Sequence, residues 1–128
     1  VFEEWPTALL TSPFEVGIGI EYPGDSIEND FGWSSGPHPV VEAYKAYLPM
    51  PYDRPVWDLT SVLYCVDNRP EFFTESPKGT IEVTADGATV FTETPDGNRS
   101  YLITDDRQGE AVRKHLVRML TARPACRK

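Results

Sequence analysis

The stretch WDLTSVLYCV, residues 57–66, decides the fold class, because it predicts an amphipathic helix in a chain otherwise rich in turn and strand signals. Its apolar residues recur at the i, i+3, i+4 and i+7 spacing of one helical face and are Leu59, Val62, Leu63 and Val66. We therefore predict a helix from Trp57 to Val66 that buries this face. Asp58 then lies in the first turn, where the helix dipole and free backbone N–H groups favour a carboxylate.

The residues before this helix predict helical and extended segments joined by a long loop. A second helix is predicted from Pro39 to Leu48, with Pro39 in its first turn. Residues 8–11 predict a short buried strand, whereas residues 14–20 fit either a strand or the start of a short helix. Residues 21–38 are rich in glycine, proline and serine, and this composition predicts a long loop.

The residues after the helix change to the two-residue alternation of β-strands. Residues 80–84 and 89–92 alternate on either side of Asp86-Gly87, a hairpin turn signal, and residues 101–103 predict one more strand. A final helix is predicted from Arg107 to Ala122, with a buried stripe formed by Val112, Leu116, Met119 and Leu120. The predicted fold class is therefore α/β, with helices and an antiparallel β-hairpin unit.

The composition is typical of a globular domain with an acidic surface. The net charge of -8 argues against a nucleic acid or an anionic membrane as partner, because both require a basic surface. The chain also lacks the run of about 18 apolar residues that a transmembrane helix needs. Cys65 and Cys126 lack zinc-ligand spacing and are expected to be free thiols. They leave the compartment open, with the cytoplasm favoured.

The stretch DRPVWDLTSVLY, residues 53–64, is the most specific motif, and it resembles the late active-site segment of the inosine-uridine preferring nucleoside hydrolase family. Other segments resemble the family in the same order, at residues 2–5, 14–17, 38–44, 72–73 and 79–103. The resemblance extends over nearly the whole chain. It implies the C-terminal portion of a nucleoside hydrolase-like open sheet fold, in which active-site loops lie at the carboxyl ends of the strands.

The resemblance implies roles for two adjacent residues. Asp58 matches the family's aspartate that binds calcium and contacts the ribose, and Trp57 matches the tryptophan that precedes it in purine-specific members. The implied reaction is hydrolysis of the N-glycosidic bond of a ribonucleoside, with Ca²⁺ holding and acidifying the attacking water. Trp57 would stack on the purine leaving group. By local sequence alone, Asp58 is instead a helix N-terminal carboxylate and Trp57 a core or hinge residue.

The family's other calcium aspartates and its ribose-binding residues have no counterpart in this sequence. Residues 1–128 are therefore expected to be the C-terminal segment of a hydrolase-like domain, with the N-terminal part absent. Calcium takes about six to eight oxygen ligands, so this chain alone is expected to bind no calcium and to be inactive. An isolated piece would expose apolar surface, which predicts a homo-oligomer or association with the missing N-terminal part.

Several alternatives stay open at this point. Arg54, Glu15 and His38 are further candidates for the site, although Arg54 fits a surface pair with Asp53 equally well. His115 is expected to be structural. The competing interpretation of the whole chain is a non-catalytic α+β protein-interaction module that binds through its hairpins or acidic loops. The sequence does not indicate which nucleoside is cleaved, except that the tryptophan favours purines.

Overall fold

The computed structural model describes residues 1–125, which form five helices and seven strands. The helices are α1 (Phe14–Gly19), α2 (Gly24–Asn29), α3 (Pro39–Tyr47), α4 (Leu59–Val66) and α5 (Asp106–Leu120). The strands are β1 (Leu9–Thr11), β2 (Glu21–Tyr22), β3 (Arg54–Pro55), β4 (Thr74–Glu75), β5 (Gly79–Val83), β6 (Thr89–Glu93) and β7 (Arg99–Ile103). No helix in this part of the chain is long and apolar enough to cross a membrane.

The strands form an open, mixed sheet, so the coarse prediction of an α/β fold with antiparallel strands is confirmed. The strand order is β1-β7-β5-β6, and β4 pairs with β7 off this path. The pair β5–β6 is antiparallel, as the hairpin signal at Asp86-Gly87 predicts. The pairs β5–β7 and β4–β7 are also antiparallel, whereas β1 runs parallel to β7. A separate two-stranded ladder joins β2 to β3.

One hydrophobic core joins the helices to the sheet. Leu102 on β7 and Val112 on α5 are fully inaccessible to solvent, at 0% exposure each. Around them lie side chains from α1, α2 and α4 and from the segments that follow these helices, namely Val16, Ile20, Ile27, Phe31, Leu63, Phe72 and Phe73. The core therefore ties the elements that precede the hairpins in sequence to the strand and helix that follow them.

The predicted loop over residues 21–38 is wrong in its first half, because β2 and α2 lie there. Ile27 and Phe31 are buried at 3% and 6% exposure, and this burial stabilises a segment that its glycine and proline content disfavours. The first amide of α2 is also held from outside the helix, since the Gly24 N–H donates to Asp53 Oδ1 at 2.8 Å. Residues 14–20, which the sequence allowed as either a strand or a helix, contain α1 over Phe14–Gly19.

Helix α4 begins at Leu59 rather than Trp57, and its apolar face is only partly buried. Leu63 is 2% exposed, but Val62 and Val66 are 55% and 66% exposed, because the core covers only one side of the helix. The predicted stripe of α5 behaves similarly. Val112 and Leu116 are buried, whereas Met119 and Leu120 near the end of the helix are 47% and 44% exposed.

The remaining predicted elements agree with the structure within a few residues. The strand at residues 8–11 is β1, although its residues are half-buried rather than fully buried, and the helix at Pro39–Leu48 is α3. Helix α5 begins with a capping box in which Asp105 accepts from the Gln108 N–H and the Gln108 side chain accepts from the Asp105 N–H. Cys65 is an exposed free thiol, and Cys126 lies outside the described residues.

Candidate functional site

The Trp57-Asp58 pair lies beside the carboxyl end of β1. Since β1 and β7 are parallel, their carboxyl ends meet at one edge of the sheet, which is where open α/β sheets place their binding sites. Ser12 follows β1 directly, and its hydroxyl is hydrogen-bonded to the hydroxyl of Thr60 on α4. This contact brings the start of α4, and with it the Trp57-Asp58 pair, to that edge.

Trp57 has a left-handed backbone, with φ at 43°, the one positive φ among the non-glycine residues 1–125. Such a conformation costs a bulky residue about 1–3 kcal/mol and persists only where surrounding contacts hold it. Two neighbours do so here. The Trp57 N–H donates to Gly17 O at 3.4 Å, and the Trp57 carbonyl accepts from the Thr60 hydroxyl at 2.8 Å. Residues held in such conformations cluster at binding and catalytic sites.

The indole ring of Trp57 lies over α1 and is 38% exposed. Its centroid is 5.3 Å from that of the Phe14 ring, and the two ring planes are tilted by 43°. Gly17 lies under the tryptophan, because a Cβ on this glycine would be 3.0 Å from Trp57 Cα and 3.3 Å from Trp57 Cε3. Phe14 is itself 64% exposed, so the two rings present a joint aromatic surface to solvent.

Asp58 occupies the N-cap position of α4 rather than the first turn that the sequence predicted. Its carbonyl accepts the Val62 N–H at 3.2 Å, but its side chain does not cap the helix. Within the described chain, the exposed carboxylate of Asp58 takes part in no hydrogen bond and no ion pair. It is therefore accessible to a cation or a sugar hydroxyl.

The described residues bring no further metal ligands to Asp58. Residues 1–125 contain no group of three or more His, Cys, Asp or Glu side chains arranged to hold a metal ion. Acidic residues do line a groove of about 420 Å³ between α1 and the start of α5, with Glu15 and Asp106 among them. A second groove of about 440 Å³ separates Glu15 and Val16 on α1 from the strands β5, β6 and β7.

The three open candidates, Arg54, His38 and Glu15, have different surroundings. The Arg54 guanidinium lies 4.5 Å from the centre of the Tyr47 ring, so the proposed surface pair with Asp53 is wrong, and Asp53 instead accepts the Gly24 N–H. The His38 ring packs 4.3 Å from the Phe31 ring at the start of α3, with its Nδ1 buried. Glu15 is exposed on α1.

His115 is 8% exposed and contributes to the link between α5 and the end of α4. Its Nε2 lies 3.1 Å from Asp67 Oδ2, without the alignment of a hydrogen bond, and its Nδ1 lies 3.1 Å from Arg118 Nη2. The Arg69 guanidinium, hydrogen-bonded to Asp67, holds the pKa of that carboxyl below its ordinary value. His115 therefore contacts Asp67 and Arg118, and it has no hydrogen bond or ion pair with Trp57 or Asp58 in the described part of the chain.

Sequence reasoning assigned no site role to four residues that shape the surroundings of Trp57: Ser12, Phe14, Gly17 and Thr60. Their contacts with Trp57, or with each other, join α1 and the end of β1 to the start of α4, which lies 40 or more positions later in the sequence. Periodicity reports which residues share a face of one element, but it carries no information about contacts between elements. The run FEVG at residues 14–17 was the sequence signal that could have identified Phe14 and Gly17, but the run alone does not indicate a contact with Trp57.

Comparisons with protein-family models, with curated proteins and with solved structures find no match for this chain.

The strain at Trp57 can be tested by comparing two substitutions that remove the same ring. We expect the Trp57→Gly protein to be more stable than the Trp57→Ala protein by about 1 kcal/mol, because only glycine adopts a positive φ without cost. Chemical denaturation of both variants measures the difference.

The half-exposed Trp5 provides the control, since it does not have a positive φ. At Trp5, glycine should be no more stabilising than alanine, because glycine gains more freedom in the unfolded chain. An alanine variant at position 57 as stable as the glycine variant would show that the backbone there is not left-handed.

Proposed function

We propose that this chain is the C-terminal part of a calcium-dependent nucleoside hydrolase that cleaves the N-glycosidic bond of purine ribonucleosides. The observation that supports it most strongly is the Trp57-Asp58 pair itself. A tryptophan held in a strained conformation stands next to an accessible carboxylate, at the edge of the sheet where the parallel strands end. The ordered resemblance of the surrounding motifs to the nucleoside hydrolase family points to the same function.

Asp58 fits the role of a calcium ligand because its carboxylate is exposed and free of competing contacts within the described residues. Calcium takes about six to eight oxygen ligands, so the remaining ligands would come from another part of the full-length protein. The metal, when bound, would hold and acidify the water that attacks the sugar. The negative charge of Asp58 would also stabilise the positive charge that develops on the ribose as the glycosidic bond breaks.

Trp57 fits the role of a base contact. Its indole ring is partly exposed, and the contacts of its backbone with Gly17 and Thr60 fix the position from which the side chain extends. An ordered aromatic ring requires little further loss of freedom when a planar base stacks on it, and such stacking contributes about 1–3 kcal/mol per base. A purine, with two fused rings, covers more of an indole than a pyrimidine does.

The proposal predicts how the full-length protein discriminates between nucleosides. Trp57→Ala should lower kcat/KM for inosine about tenfold or more and should lower kcat/KM for uridine by a smaller factor, because the purine loses more stacking area. Release of free base from each nucleoside in the presence of calcium measures both values. Trp5→Ala, which removes an exposed tryptophan outside the site, should leave both unchanged.

Two results would count against this function, and they have different meanings. If the full-length protein releases base from neither nucleoside, the hydrolase proposal fails. If Trp57→Ala reduces the two activities equally, the protein is a hydrolase but Trp57 does not stack on the base. The isolated chain is proposed to be inactive and to bind no calcium, so base release or calorimetric calcium binding by residues 1–128 alone would overturn that part.

A protein-interaction module is the second candidate, and exposed apolar side chains favour it. Ile18 on α1 and Val62 and Val66 on α4 are 44%, 55% and 66% exposed, which suits a surface covered by further protein. In the hydrolase proposal the cover is the remainder of the same domain or a second copy of the protein. The coding sequence upstream of Val1 discriminates the two, because an in-frame aspartate-rich motif after a strand favours the hydrolase.

A further inference from the structure

We propose that Phe14 is a second aromatic contact for the base and that Gly17 is a positioning residue that sets the orientation of Trp57. This inference depends on the hydrolase function proposed above and adds to it the residues that determine preference for purines. It assigns a role in substrate recognition to helix α1, whose residues lie more than 35 positions before Trp57 in the sequence.

Phe14 lies beside Trp57, so a base that covers the exposed part of the indole ring can also contact the phenyl ring. It is the first residue of α1, and its ring centroid lies 5.3 Å from that of Trp57 with the planes tilted by 43°. The Phe14 residue is 64% exposed, so most of the surface of its ring is open to a ligand. The phenyl and indole rings together offer a larger aromatic surface than the indole alone, and a two-ring purine can use more of that surface than a one-ring pyrimidine.

The position of this aromatic pair is fixed by a closed series of contacts. Ser12, two residues before Phe14, is hydrogen-bonded through its hydroxyl to Thr60, and the Thr60 hydroxyl donates to the Trp57 carbonyl. Three residues after Phe14, the Gly17 carbonyl accepts the Trp57 N–H. Both ends of the Trp57 residue are therefore tied to the segment that carries Phe14, and the two rings are held as one unit.

Gly17 controls how closely α1 approaches Trp57. A Cβ at this position would lie 3.0 Å from Trp57 Cα, which is closer than ordinary van der Waals contact, so a larger residue must displace the tryptophan backbone. Gly19, two residues further along the same helix, has no atom within 4 Å of the corresponding position. The two glycines thus share a helix and differ in whether a methyl group reaches Trp57.

The test compares kcat/KM for inosine and for uridine in the full-length protein and its variants. Phe14→Leu should lower the inosine value by about three- to tenfold and the uridine value by less than twofold, the range expected for one aromatic contact. Phe14→Tyr, which keeps the ring, should restore the inosine value. Gly17→Ala should reduce the ratio of inosine to uridine activity, whereas Gly19→Ala should leave the ratio unchanged.

The outcomes separate this inference from the function it depends on. An active protein in which Phe14→Leu lowers both activities equally, or in which Phe14→Tyr behaves like Phe14→Leu, overturns the base contact and leaves the hydrolase function in place. Equal ratios for Gly17→Ala and Gly19→Ala overturn the positioning role. A wild-type protein that releases base from neither nucleoside overturns the proposed function and this inference together. Melting temperatures of all variants identify any loss that comes from unfolding.

Discussion

Asp58→Ala in the full-length protein is expected to lower kcat/KM for inosine by about 10²–10³-fold while leaving the free energy of unfolding, measured without calcium, within about 0.5 kcal/mol of the wild type. The two effects separate because the carboxylate of Asp58 is exposed and has no partner in the described residues, so its removal breaks no contact that stabilises the fold. In the proposed site, the same carboxylate binds the metal and faces the ribose.

The loss of activity should be accompanied by a loss of calcium affinity. Calorimetric titration of the full-length protein with calcium measures this directly, and Asp58→Ala should bind calcium more weakly, because one charged oxygen ligand is gone. Asp58→Asn keeps an oxygen but removes the charge, and it should fall between the alanine variant and the wild type in both measurements.

Asp25 provides a matched control, since it is also an exposed aspartate at the start of a short helix, α2. Asp25→Ala should change neither activity nor calcium affinity. If Asp58→Ala retained wild-type activity, or lost activity with unchanged calcium affinity, Asp58 would not be a metal ligand. Wild-type activity would mean that Asp58 is only a surface carboxylate at the start of a helix. Lost activity with unchanged calcium affinity would mean that Asp58 contacts the substrate and not the metal.

The agreement between sequence and structure is greatest where one element's own pattern determines its conformation. The hairpin of β5 and β6 follows from alternation around Asp86-Gly87, and α5 follows from its helical spacing and the cap at Asp105. Residues 21–38 were predicted wrongly because composition was the only signal used. The burial of Ile27 and Phe31 in the common core overrides the glycine and proline content there, and burial depends on the whole fold.

The candidate site was likewise predictable only where a local motif determined it. Trp57 and Asp58 were identified from a local motif, and the structure places them together at the start of α4. The positive φ of Trp57 was not predictable, since its backbone is held by Gly17 on another helix. The predicted first-turn position of Asp58 was wrong for the same reason, because a helix cannot extend back through a left-handed residue.

The burial of Arg99 was not predicted, because the predicted strand began at residue 101 and a charged residue is ordinarily expected to face solvent. Arg99 on β7 is 3% exposed, and its guanidinium donates to the backbone carbonyls of the segment before β1. The acceptors include Trp5 O at 2.9 Å and Thr7 O at 3.0 Å, together with Phe2 O and the side chain of Asn98. No carboxylate pairs with Arg99 within the described residues.

Arg99→Met is expected to destabilise the protein by about 3–5 kcal/mol, because it leaves several carbonyls near a buried site without donors and removes a packed side chain. Arg99→Lys should also destabilise it, by a smaller amount, since an ammonium group cannot reproduce the geometry of the guanidinium fork. Urea denaturation measures both changes.

The exposed Arg107 on α5 is the matched control for Arg99. Arg107→Met should shift the free energy of unfolding by no more than about 0.5 kcal/mol, because this arginine is a surface residue.

Arg99→Met should in addition make the first eight residues more susceptible to proteolysis under native conditions, since its carbonyl contacts tie that segment to β7. An Arg99→Met protein as stable as the Arg107→Met protein would mean that the contacts of Arg99 do not stabilise the segment before β1. The carboxyl end of β1, and with it the surroundings of Trp57, would then depend on the three residue pairs between β1 and β7, on the core contact of Leu10 and on the hydrogen bond between Ser12 and Thr60.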